Sequence, residues 1–189
     1  MLLLTLIVLP FLGSIAAAFM PTHARNREAW FAGAIALTSL LITLSKYTVI
    51  AEGELITFQL EWIAQFGLNL SFRMDGLAWL FTLMIQGICL LVILYARYYM
   101  SPKDPVPRFF SFLLAFMGAM LGVVLSGNLI QLVIFWELTS LTSFLLIGYW
   151  HHRTDARRGA RMAFTVTALG GLCLLAGVIL LGQVVGSYE

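Results

Sequence analysis

Six stretches of the chain are apolar at nearly every position, at about 2–20, 29–50, 76–98, 109–125, 129–150 and 160–185. A helix needs about 20 predominantly apolar residues to cross the hydrocarbon layer of a bilayer, so each run is a candidate span. Between the second and third runs the period changes to two. Ile56, Phe58, Leu60 and Trp62 alternate with Thr57, Gln59 and Glu61, and Leu68, Leu70, Phe72 and Met74 with Asn69, Ser71, Arg73 and Asp75. That is strand periodicity, and with Gly67 near the bend it predicts an amphipathic β-hairpin over 55–75. A hairpin in hydrocarbon would leave its edges unpaired, which puts this one at the membrane surface. Its apolar face needs a cover, either a neighbouring subunit or the tops of its own helices; the alternative is a mobile interfacial loop. Pro102, Pro105 and Pro107 stiffen the connector before the fourth run, because proline lacks a backbone donor and resists helix continuation. The expected fold is an all-α integral membrane protein: a six-helix transmembrane bundle with a short hairpin between helices two and three, forming a single domain over 1–189.

Composition strengthens that reading. The chain has 189 residues, 61% hydrophobic and 11% charged, with a mean hydropathy of +0.95, outside the balance of a water-soluble domain. Ala16-Ala17-Ala18 resembles a signal cleavage region, but no Lys or Arg precedes it, so the first run is expected to be a retained helix. Nine of the eleven basic residues (Arg25, Arg27, Arg97, Lys103, Arg108, Arg153, Arg157, Arg158 and Arg161) fall in alternate loops, away from Glu52, Glu54, Glu61 and Asp75. By the positive-inside rule both termini face outward. Such dispersed interfacial charge excludes nucleic acid as a partner and implies contact with the lipid bilayer. Cys89 and Cys173 lie inside apolar runs without metal spacing, so no metal or cofactor is expected.

Glu137 is the residue that requires an explanation. It is the ninth of the fifth run, about 12 Å inside its end at 1.5 Å per residue. An acid at that depth costs on the order of 3 kcal/mol unless it is protonated, paired or wet. Desolvation favours its neutral form and an approaching cation its ionised form, the sensitivity a proton relay needs. Ser140 lies one turn onward on nearly the same face, as polar lining or as ordinary packing. Gln86, near the middle of the third run, either reaches that interior or joins two helices. Asp75 precedes Gly76, where a carboxylate caps the helix, an ion-entry role being the alternative. His151 and His152 follow the fifth run and belong to the residue type that changes charge near neutrality, suited to proton collection, or are simply interfacial. Gly118 and Gly122, four apart, permit close helix contact.

The segments "GVVLSGNLIQLVI" (122–134) and "FWELTSLTSFLLIGYW" (135–150) together resemble the A-type subunit of the bacterial multisubunit Na+/H+ antiporters. "FRMDGLAWLF" (72–81), "LYARYYM" (94–100) and "HHRTDARRGARMAF" (151–164) extend the resemblance over nearly the whole chain. The antiporter-like subunits of respiratory complex I share the Trp-Glu pair. The resemblance implies that Glu137 is the family's helix-five glutamate, which pairs with a lysine on a broken seventh helix. The family core has fourteen helices, so this chain resembles its amino-terminal part, with the lysine supplied by missing helices or by a partner chain. The expected function is a non-enzymatic secondary transporter subunit of a bacterial inner membrane, exchanging Na+ for protons alongside other antiporter subunits. Two competing readings are a subunit of a complex I or membrane hydrogenase arm, and a structural assembly module of such a complex.

Overall fold

The chain begins with α1 (Leu2–Ala18), α2 (Arg25–Leu44) and a single short turn, α3 (Tyr47–Ala51). The hairpin follows as β1 (Ile56–Ile63) and β2 (Leu68–Met74), and then α4 (Gly76–Tyr99), α5 (Val106–Leu125), α6 (Leu129–Ile147) and α7 (Thr154–Val185). The computed structural model describes residues 1–21, 25–63, 68–101 and 104–188; the expected bend at Gly67 and the connector residues Pro102 and Lys103 lie outside them. Five helices, α2 and α4 to α7, are long and apolar enough to cross a membrane, and α1 is a shorter apolar helix of 17 residues.

Several boundaries differ from those expected from hydropathy. The second run, expected at 29–50, starts at Arg25 and ends at Leu44. Lys46 N–H donates to Thr43 O and the Ser45 hydroxyl to Ile42 O, tightening the chain into a turn before α3. The fourth run starts at Val106, not 109, with Pro107 in the first turn, where its missing N–H has no helical partner to lose. The fifth ends at Ile147, short of 150. The sixth begins at Thr154, six residues before the expected 160, because Asp155 suits the positive end of the helix dipole and the alanines and arginines that follow have high helix propensity. At 32 residues α7 is about 48 Å long, so its charged first turns extend past a hydrocarbon layer of about 30 Å.

Packing follows residue size. The buried face of α2 is Glu28 followed by Ala29, Ala32, Ala36, Ser39 and Thr43, and the small residues among these, at helical spacing, let α4 approach closely. α1 lies along α5, with Ser14 Oγ 3.1 Å from Ser111 Oγ. Gly118 and Gly122 do serve close contact, but with different neighbours: the Phe11 ring of α1 rests on Gly118 and the Phe135 ring of α6 on Gly122. α7 packs on α6 and leaves most of its apolar surface, including Met162, Val166, Leu169 and Leu172, exposed.

The hairpin pairs antiparallel, with Ile56 opposite Met74, Phe58 opposite Phe72 and Leu60 opposite Leu70, and a register irregularity between Glu61 and Ile63. It docks on the chain's own helices. Phe72 and Met74 are buried in the main core, and the Phe72 ring lies 6.2 Å from that of Phe135. The far edge of β2 is closed by the α5–α6 junction. Gln131 uses its amide as a strand would, accepting from Ser71 N–H at 2.9 Å and donating to Ser71 O at 2.9 Å. Gly127 N–H donates to the same carbonyl at 2.8 Å, and Phe72 bridges to Ser126. An edge strand that would otherwise expose unpaired backbone is thereby satisfied within the same chain.

Candidate functional site

Two ends of the bundle frame the site. At the hairpin end, Asp75 caps α4, its Oδ1 accepting from Ala78 N–H at 2.8 Å, and Asn128 caps α6 through Ile130 and Gln131 N–H. At the opposite, basic end, Arg97 of α4 donates to Asn26 of α2 at 3.4 Å and lies over the Trp30 ring. Arg108 of α5 approaches His151 Nδ1 at 3.3 Å.

Glu137 lies between these ends, on the face of α6 that meets α7. Its Oε1 is buried and has no hydrogen-bond partner among the described residues. The carboxylate rests directly on Gly171 of α7, where any Cβ would overlap Oε1, and Trp136 also borders that position. Glycine therefore makes room for the acid, and α7 covers one of its oxygens without offering a donor. A buried acceptor in that state is destabilising unless it carries a proton or meets a donor from elsewhere.

The other candidate residues do not converge on Glu137. Ser140 is 5% exposed, and its hydroxyl donates to Trp136 O within its own helix, as Thr139 does to Trp136 O and Thr142 to Leu138 O. Gln86 is fully buried between α4 and α2, where its amide donates to Ser39 Oγ at 2.9 Å and its Oε1 has no partner among the described residues. Asp75 is occupied in capping. His151 and His152 are exposed beyond α6, their rings 6.1 Å apart. With Arg108, Arg157 and Arg161, His151 lines a cavity of about 300 Å³ floored by Phe144, Leu145 and Ala160. No group of three His, Cys, Asp or Glu side chains comes together among the described residues in a way that could hold a metal ion.

Sequence reasoning singled out neither of two residues of consequence. Gln131 joins the hairpin to α6. Glu28, one residue ahead of the second apolar run, is fully buried, and neither carboxylate oxygen has a hydrogen-bond partner among the described residues. Its spacing of four and eight from Ala32 and Ala36 is the signal that puts it on the buried face. Near it, Tyr149 is buried against Phe109. Burial, and next the charge of Asp104, push the Tyr149 hydroxyl above the ordinary phenol range; Arg108 opposes and Glu28 adds to the shift. Tyr149 is thus a neutral hydroxyl at physiological pH.

Residues 60–110 match the family model described as NADH-ubiquinone oxidoreductase (complex I), chain 5 N-terminus. Residues 126–189 match the model described as NADH:quinone oxidoreductase/Mrp antiporter, TM. A probable K(+)/H(+) antiporter A/B subunit of Rhizobium meliloti is 57% identical over 188 residues, covering 100% of this chain and 19% of the relative. The A-type subunit of the Na(+)/H(+) antiporter of Alkalihalophilus pseudofirmus is 41% identical over 182 residues, covering 95% of this chain and 23% of the relative. A chain of the Mrp complex from Dietzia sp. DQ12-45-1b superposes with a TM-score of 0.85 at 26% identity, covering 100% of this chain and 20% of that one. A chain of the membrane-bound sulfane sulfur reductase, an archaeal respiratory membrane complex, shares the fold, with a TM-score of 0.80 at 21% identity, covering 97% of this chain and 28% of that one. The chain spans about one fifth of the length of the curated relatives it matches. With its five apolar spans, this is a multi-pass membrane protein, and it belongs to the family of antiporter-like membrane subunits that multisubunit cation/proton antiporters share with complex I.

Proposed function

We propose that this chain is the amino-terminal transmembrane domain, residues 1–189, of an antiporter A-type subunit that exchanges protons for a monovalent cation across a bacterial inner membrane. It is a secondary transporter subunit rather than an enzyme. Relatives named for K(+) and for Na(+) both match, so the cargo class is a monovalent alkali cation, with Na+ as the first ion to assay. The observation that carries the reading is Glu137, a carboxyl on a membrane-spanning helix with a buried oxygen that has no hydrogen-bond partner among the described residues.

In the proposed arrangement α1 is a sixth span beside the five longer helices, the basic end faces the cytoplasm and both termini face outward. Glu137 takes up a proton when no cation is near and releases it when a lysine, from helices beyond this chain or from a partner chain, approaches. Each elementary charge crossing 100 mV releases about 2.3 kcal/mol, enough to couple net charge movement to ion exchange. Gln86 supports this by joining α4 to α2, Asp75 by capping α4 and Ser140 as small polar lining beside Glu137, and His151 and His152 collect protons at the basic end. Other subunits of the complex are the expected partners. The test is Glu137→Gln in the intact complex, assayed for cation-driven proton movement in everted vesicles. Loss of antiport with normal assembly is expected, and antiport equal to wild type would defeat the relay assignment.

The complex I wording of both family models favours a second reading, in which the chain belongs to a redox-linked proton pump. Copurification of iron-sulfur or quinone-reducing subunits would select it; cation/proton exchange by a complex lacking them would select the antiporter.

A further inference from the structure

The cavity of about 300 Å³ at the basic end is built where three helix ends meet. Arg108 is the third residue of α5, Gly148 follows the last turn of α6, and Arg157 and Arg161 stand one turn apart near the start of α7. Arg108 is half-buried and held from two sides. It donates to His151 Nδ1 at 3.3 Å, and its guanidinium lies 5.4 Å from the centre of the Phe112 ring. Three arginines thus line one space, and among the described residues no Asp or Glu lines it with them. Asp104, ahead of α5, accepts from Ser101 N–H, and Asp155 is exposed in the first turn of α7. Like charges gathered without a counter-ion repel one another, and an anion placed between them removes that cost.

The remaining walls are apolar, and they continue into the membrane. Phe144 and Leu145 floor the cavity, and the Phe144 ring lies 5.4 Å from that of Phe164. One turn deeper along α6, on the face of Leu145, Leu141 is 44% exposed; on α7, three residues past Arg161, Phe164 is 36% exposed. An apolar strip therefore runs from the cavity along the seam of α6 and α7 into the spanning segments. The arginines of α7 belong to the turns that extend past the hydrocarbon layer, at headgroup depth. A free soluble anion would use the arginines and leave the strip bare, whereas a phospholipid uses both. The cavity is at the small end of ligand-site volumes, room for a phosphate and its glycerol, with acyl chains outside along the strip.

We propose that this cavity binds the phosphate of an anionic phospholipid whose acyl chains lie along the α6–α7 seam. Arg157 and Arg161 take the phosphate oxygens, since the planar guanidinium fork matches two of them at once. Arg108, fixed by His151 and Phe112, closes the third side. Basic pockets between spanning helices are a known way of holding such headgroups. The lipid also has mechanical work to do: α7 packs chiefly on α6, and a headgroup bridging Arg108 to Arg157 and Arg161 fastens its first turns to α5 as well. The site needs only a membrane-embedded bundle, so it goes beyond the antiporter reading and does not rest on it.

The test places the intact complex in phosphatidylcholine vesicles containing a photoactivatable phosphatidylglycerol, its reactive group near the phosphate, and maps the labelled peptides. Label is expected within 141–164. Arg157→Gln with Arg161→Gln should raise the probe fraction needed for half-maximal labelling there by roughly 30-fold. Arg158→Gln, at a residue that does not line the cavity, should leave it unchanged. Arg157→Lys with Arg161→Lys keeps the charge and should retain most of the labelling. No label in that segment, labelling unchanged in the glutamine pair, or equal labelling by a photoactivatable phosphatidylcholine would overturn the proposal. So would displacement of the probe by inorganic phosphate as readily as by unlabelled phosphatidylglycerol at matched ionic strength, which would make the cavity a site for free anions. If the glutamine pair fails to assemble, Arg161→Gln alone replaces it, with a shift of roughly 5-fold expected and no shift overturning the site. None of these readouts involves antiport, so failure here leaves the Glu137 assignment standing, and failure there leaves this one.

Discussion

Replacing Gln131 with alanine tests whether the hairpin is held by its own chain. The side chain accepts from Ser71 N–H and donates to Ser71 O, both at 2.9 Å, and donates to Ser126 Oγ at 3.2 Å. After truncation, Ser71 O keeps the Gly127 N–H and Ser126 Oγ keeps its bond to Gly122 O. Ser71 N–H is left with no acceptor in a buried position. One orphaned donor costs about 1–3 kcal/mol and each of the two remaining lost bonds about 0.5–1.5 kcal/mol, with partial compensation by entering water. A net loss of about 2–4 kcal/mol corresponds to roughly a 30- to 700-fold rise in the opening equilibrium of the hairpin. Hydrogen-exchange mass spectrometry on the purified complex should therefore show faster exchange over 56–60 and 70–74, with α4 and α5 unchanged. Equal exchange in wild type and Gln131→Ala would refute the argument, and would mean that a neighbouring chain, not α6, holds the hairpin.

Other substitutions probe different contacts. Gly122→Ala drives a methyl into the Phe135 ring and should destabilise by about 1–3 kcal/mol, read as a lower melting temperature in detergent; an unchanged melting curve would mean that the ring moves freely. Gly171→Ala fills the space occupied by Glu137 Oε1 and should slow antiport sharply while the complex still assembles, whereas Gly170→Ala, which meets open space, should not. Asp75→Ala removes the α4 cap at a cost of about 0.5–2 kcal/mol, and Asp75→Asn should restore most of it. Antiport abolished by the asparagine variant in a stable complex would show a role for Asp75 beyond capping.

The physics explains why some of this was legible. Strand alternation over 55–75 predicted the hairpin correctly, because period two is a local property that survives any tertiary context. Asp75 read as a cap for the same reason: the bond to Ala78 spans three residues. Gln131 was illegible, because nothing local distinguishes a polar side chain that meets a strand edge from one that meets solvent; Glu28 had a local signal in its helical spacing from Ala32 and Ala36, but what it meets there is set by packing. Gly171 carried no visible meaning until α7 was laid on α6 and its missing side chain proved to be the space that Glu137 needs.

Hydrophobic run length by itself determined that this chain is a helical membrane protein, and period-two alternation that it carries a two-strand hairpin. The first follows from transfer free energy summed along single segments and the second from the alternation of faces along a strand, both local properties. Only the tertiary structure decided which helix each polar residue faces: that Gln86 joins α4 to α2, that the hydroxyls after Glu137 bond to their own helix, and that Glu28 and Tyr149 share the basic end. A position along a helix is set by sequence, but its facing partner is set by how ridges and small residues let helices approach, and that is a property of the packed bundle.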